Sequence, residues 1–222
     1  MRSPVQTTYD DLPNELPIFP LSGALLLPWG RLPLNVFEPR YLNMTLDALK
    51  QGRIIGMIQP DLDKAKPEPK AEPTLYTVGC AGRIISFEET EDGRLHIVLR
   101  GLIRFRLDQE IEGRLGYRRV KPQYDLFKAD LDVPSGVKID RALIVERLKR
   151  YLQVHSIPVS IEVLQGLSDA SLVNSVCMTC PFDPREKQAL LECADISGRA
   201  ETLAKLLQIG MFDTGAAGTP PQ

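Results

Sequence analysis

Cysteine is the residue type in this chain most able to do chemistry. Cys177 and Cys180 form a Cys-Met-Thr-Cys pair, while Cys80 and Cys193 stand apart. A redox CxxC works from a helix N-terminus, where the dipole favours the thiolate. Here the pair closes an apolar helical stretch, at the end where the dipole opposes that charge. A zinc site would need a second CxxC or two closely spaced histidines, and the two histidines, His96 and His155, are far apart. Buried packing is the better reading of these thiols. Nothing in the local sequence couples either histidine to a cysteine, so a cryptic cysteine hydrolase is a weak alternative. Neither GxxxxGK[ST] nor GxGxxG occurs. Ser135 and Lys138 sit in a loop-like PSGVK stretch, and Glu88-Glu89 and Asp61/Asp63 fall where solvated turns are expected. No catalytic, metal-binding or cofactor-binding residues are expected, and the chain reads as a non-enzyme that needs no cofactor.

Charge narrows the partners. A net charge of −2 over 222 residues argues against a strongly electrostatic nucleic-acid binder. Arg100, Arg104, Arg106, Arg118 and Arg119 alternate along two strand-like stretches with acids between them and no aromatic series, the pattern of a solvated sheet face. The 43% hydrophobic and 25% charged content is that of an ordinary globular protein. No apolar run nears the roughly 18–20 residues of a membrane span. The acidic N-terminus lacks a secretory apolar core, and the scattered cysteines fit a reduced, cytoplasmic protein.

The elements that would carry these residues fall into two groups. Residues 1–11 are expected to be disordered, and 12–125 to form a β-rich lobe with one early helix. That helix starts at Pro39, puts Leu42, Leu46 and Leu49 on one face and stops at Gly52. RIIGMIQ (53–59) reads as a buried strand, and the proline-broken stretch 61–73 as a mobile loop. Segments 74–89 and 94–101 form strands joined by a turn at Asp92-Gly93, followed by strands over 103–107 and 117–124. Residues 126–212 then read as helical. One helix over 138–154 has Ile144, Leu148, Tyr151 and Leu152 inward. The next spans 168–179, and a third opens at Asp183 with Pro184 and Glu186 completing a capping box. A last helix, 197–210, ends at Gly210, and 213–222 reads as a disordered tail.

Within this frame, LPIFPLSGALLLPWGRLPLNVFEPRY (16–41), RIIGMIQP (53–60), GCAGRIISFEETEDGRLHIVLRGLIRFRL (79–107) and FDPREKQALLE (182–192) resemble the N-terminal, substrate-binding domain of ATP-dependent Lon proteases over about residues 14–210. The closest likeness is to bacterial stand-alone proteins of that domain, without the ATPase and peptidase S16 modules. The resemblance implies an α+β fold, a PUA-like pseudobarrel of twisted antiparallel β-sheets followed by a helical bundle. It also implies a role in binding unfolded or client polypeptides in protein quality control, with Lon protease itself or a second copy as further partners. RNA binding is the alternative, since PUA-like barrels elsewhere bind RNA. Trp29 stands at a turn position usually glycine in that family. Too large for the tight Pro28-Trp29-Gly30 geometry if it only packed inward, it is expected to form an exposed polypeptide-binding patch with Leu27 and Leu32.

Overall fold

The computed structural model describes residues 7–64, 72–158 and 164–212. Six strands form one mixed sheet: β1 (Leu16–Pro20), β2 (Arg31–Val36), β3 (Ile54–Ile58), β4 (Val78–Glu89), β5 (Leu95–Arg114) and β6 (Tyr117–Gln123). Helix α1 (Pro39–Lys50) lies between β2 and β3. Helices α2 (Arg141–Val154), α3 (Asp169–Thr179), α4 (Pro184–Glu192) and α5 (Ile196–Gly210) follow the last strand.

The order β2-β5-β4-β3-β1-β6 returns on itself, because β6 pairs with β5 as well as β1. Five strands therefore close a barrel and β2 is an added strand outside the closure. The long β5 makes this possible. Its first half pairs with β2, from Arg31↔Arg100 to Val36↔Leu95, and its second half with β6, from Arg106↔Gln123 to Arg114↔Tyr117. Register shifts in β4 against β5, between Ala81/Gly82 and Ile84/Ser86, bend the ribbon. One expectation needs correction: the sheet is not wholly antiparallel. β1 and β3 run parallel, with Ile18 opposite Gly56. A parallel neighbour requires a long crossover, and the intervening β2 and α1 supply it.

Two cores result. Leu16, Ile18, Ile54, Ile58, Ala81, Ile103, Phe105 and Val120 fill one. Phe105 lies so closely over its cross-strand partner Gly79 that a Cβ there would fall 2.5 Å from its ring. The other joins Leu25, Leu26, Leu27, Met57, Cys80 and Leu99 to Leu172, Val176, Cys177, Leu190, Leu203 and Leu207 of the helices. Barrel and helices thus share this second core.

Local signals explain the helix boundaries. Pro39 occupies the first turn of α1, and Asp183 and Glu186 form the reciprocal capping box of α4, with Glu186 N–H donating to Asp183 Oδ1 at 2.8 Å. In α2 the buried residues are Ile144, Leu148, Tyr151 and Leu152. In α1, however, the buried face is Tyr41, Met44, Thr45 and Ala48, and Leu46 points to solvent. Tyr41 stacks on Phe19 at 4.1 Å between ring centroids, which turns the helix away from the face its leucines suggest. Near the N-terminus, Tyr9–Asp11 forms a turn capped by Thr8, so residues 8–11 are not part of a disordered stretch. The expected loop 61–73 is only partly described. Asp61 is buried, its N–H donates to Thr74 O at 2.7 Å, and Leu62–Lys64 is a short helical turn. Residues 65–71, like the tail 213–222, lie outside the described residues.

Candidate polypeptide-binding groove

Pro28 and Trp29 are the central residues of a tight turn, in which Gly30 N–H donates to Leu27 O at 2.9 Å. Proline at the first central position presets its φ, and the second position demands a positive φ, normally from glycine or asparagine. Trp29 takes it at φ 68°. The turn is pinned to β5 on both sides of Gly101, by Trp29 N–H to Gly101 O and Gly101 N–H to Gly30 O, each 2.9 Å. This left-handed backbone swings the indole outward, where its Nε1–H donates to Asp130 O at 2.9 Å.

Asp130 belongs to the helical turn Asp125–Leu131 that leads from the barrel to the helices. Its carboxylate clamps Arg104 of β5: Oδ2 accepts from Nε at 2.8 Å and from the Arg104 N–H at 3.0 Å, while Oδ1 accepts from Nη2 at 2.8 Å. The same guanidinium donates to Cys193 O at 2.5 Å and to Leu191 O and Ala194 O at 3.2 Å, satisfying carbonyls at the end of α4. Phe127 lies over it, with its ring centroid 4.7 Å away. Deeper in, Asn174 of α3 donates to Pro28 O at 2.9 Å and accepts from Arg199 of α5 at 3.3 Å. Arg199 also donates to Leu190 O at 2.9 Å.

Between the Trp29 turn, residues 126–137 and the start of α5 runs an open groove of about 430 Å³. Its lip is apolar, with Trp29 at 40% exposure, Leu126 at 72% and Val133 at 67%. Its floor holds Arg104 and Arg199. The arrangement has the features of a surface for an extended apolar segment, namely aromatic and aliphatic lips over hydrogen-bonding groups.

The expected patch is brought together only in part. Trp29 lies at the groove. Leu27 does not: it is fully buried, because Leu25, Leu26 and Leu27 together fill the space between barrel and helices. Leu32, opposite Leu99 in the sheet, is half-buried against the same core and does not line the groove. Leu126, Phe127 and Val133 also line the groove; they lie before the helix expected over 138–154, where no site was expected. Arg104 is not on a solvated face but 4% exposed, since the helices cover its side of β5. Arg118 pairs with Glu110 at 2.6 Å and Glu72 at 3.2 Å, and Arg119 pairs with Glu15.

Three of the four thiols are poorly suited to act as nucleophiles. Cys80, Cys177 and Cys180 are buried and burial pushes all three thiols up, Cys180 to about 12, so thiolate is scarce at neutral pH. Among the described residues no group of three or more His, Cys, Asp and Glu is placed to hold a metal ion, and no helix is long and apolar enough to cross a membrane. His155 hydrogen-bonds Gly210 O at 3.0 Å and packs on Tyr151, tying α2 to the end of α5.

The model of the ATP-dependent protease La (LON) substrate-binding domain matches residues 15–208. Lon protease 2 of Myxococcus xanthus is 25% identical over 214 residues, covering 93% of this chain and 25% of that protein. Lon protease of Anaeromyxobacter dehalogenans is 24% identical over 213 residues, with 93% and 24% covered. The chain thus spans about a quarter of the length of these relatives. Among solved structures, a Lon N-terminal domain protein from Xanthomonas campestris superposes with a TM-score of 0.56 at 23% identity, covering 86% of this chain and 97% of that one. The N-terminal domain of Mycobacterium avium complex Lon protease gives 0.55 at 18% identity, covering 90% and 98%.

Proposed function

Because this chain belongs to the ATP-dependent protease La (LON) substrate-binding domain family, we propose that it is a non-catalytic module that binds unfolded or client polypeptides in the Trp29 groove. In this reading it acts as an adaptor or modulator in protein quality control, with a full-length Lon protease or a second copy among its partners. Four free cysteines suit the reducing cytoplasm. The observation that carries the proposal is Trp29 itself. An L-residue in the left-handed region costs about 1–2 kcal/mol, and here the residue bearing that cost presents a large indole at the lip of an open groove. Strain of this kind is retained where it serves a site.

Trp29 is the sole tryptophan, so intrinsic fluorescence reports on the groove alone. Reduced, carboxymethylated ribonuclease A, which has no tryptophan and cannot fold, is expected to shift the emission to the blue and to shield it from acrylamide, whereas native ribonuclease A does neither. Trp29→Gly suits the turn and is expected to stay folded while losing the binding by calorimetry. An emission that the unfolded chain leaves unchanged, with undiminished calorimetric binding by Trp29→Gly, would place the interaction elsewhere.

A further inference from the structure

The floor of the groove holds two guanidinium groups and one largely covered carboxylate. Both oxygens of Asp130 are taken by Arg104. Arg199, 2% exposed, has only neutral acceptors, Leu190 O and Asn174 Oδ1, and no ion pair among the described residues. Those two bonds use Nε and Nη1. Burial, the largest influence on Arg199, works against its charge and pulls its pKa down, yet a guanidinium stays protonated. A desolvated cation without an anion is costly unless something supplies the anion. The start of the fifteen-residue α5 adds the positive end of its dipole, since Ile196 and Ser197 line the same floor. The remaining acids of the lining, Asp132 and Asp195, are exposed at the mouth, and Asp195 Oδ1 is engaged with Gly198 N–H at 2.8 Å. The field is therefore acidic at the rim and cationic below it.

Resting on the groove reading above, we infer that the groove selects polypeptide segments that carry a glutamate among apolar residues, the carboxylate seating on Arg199 while the flanking side chains lie on Trp29, Leu126 and Val133. Glutamate fits because a carboxylate on a slim two-methylene stem reaches a recessed nitrogen. A chain terminus would have to bring its backbone with it. The acidic rim gives no long-range attraction, so selection acts at contact and is only weakly salt-dependent at the encounter step.

The test uses acetylated, amidated heptapeptides of fixed apolar sequence with a central glutamate or glutamine, and a third with glutamine and a free C-terminal carboxylate, titrated by Trp29 emission and calorimetry. The glutamate peptide is expected to bind the wild type about tenfold tighter than the glutamine peptide. Arg199→Met should erase that difference between the two peptides, and Arg199→Lys should keep part of it. Equal binding of the two amidated peptides overturns the inference without any mutant, and so does a preference that survives Arg199→Met. Tightest binding by the free carboxylate would assign the floor to chain termini instead. Silence of all three peptides while unfolded ribonuclease A still binds sinks only the glutamate inference; silence of unfolded ribonuclease A as well sinks the groove itself.

Discussion

Arg104 is the side chain on which the barrel, the Asp125–Leu131 turn and the end of α4 converge. A buried ion pair is not in itself a source of stability, because two charges must leave water to form it. Removing one partner is another matter, since the other stays buried and uncompensated. Asp130→Asn is therefore expected to lower the unfolding free energy by about 3 kcal/mol in urea titrations followed by circular dichroism. Replacing both groups, Arg104→Met with Asp130→Leu, should cost clearly less than the sum of the single changes; additive losses would mean that the two groups act independently. This role was not legible in the sequence. Ile103-Arg104-Phe105 looks like a half-exposed strand, and nothing local tells that helices eighty residues later will cover its polar side. The outward position of Trp29 was legible, because a tryptophan between proline and glycine contradicts its own turn. Leu27 was not, since an apolar run beside that turn looks the same whether it faces solvent or core.

Turn 27–30 is set by its neighbour. A Cβ on Gly101 would fall 2.0 Å from Leu27 O, so only glycine lets β5 and the turn exchange their two hydrogen bonds. Gly101→Ala must move backbone rather than a side chain. It is expected to cost about 2 kcal/mol or more and to free the indole, seen as redder, more quenchable Trp29 emission in a still-folded protein. Unchanged emission with unchanged stability would show that the turn is held by other contacts. At this scale the sequence was most informative where signals are local. The α4 capping box and the inward stripe of α2 follow from spacing alone, whereas the burial of α1 depends on the stacking of Tyr41 on Phe19, two elements away.

At the scale of the molecule, the strands and the later helices are not energetically separate. The larger core runs from Leu26 and Met57 of the barrel region into Leu190 and Leu203 of the helices. Neither group can keep its apolar face dry without the other. Thermal and urea unfolding are accordingly expected to give coincident transitions by far-UV circular dichroism and by Trp29 emission, and a helical signal that melts apart from the fluorescence would refute the shared core. The α+β class and the closing order of helices after strands were readable from periodicity, while the parallel β1–β3 pair was not, because register between distant segments leaves no local trace. That same closure carries a cost in time. The seam joins Leu16 to Val120, so a chain made from its N-terminus can pair β1 with β3 early but must leave the other edge of β1 open until β6 appears. At about 5–20 residues per second the wait is roughly 5 to 20 s. For that interval on the ribosome, the newborn chain is itself an unfolded polypeptide with open strand edges, the very kind of molecule its finished form is proposed to hold.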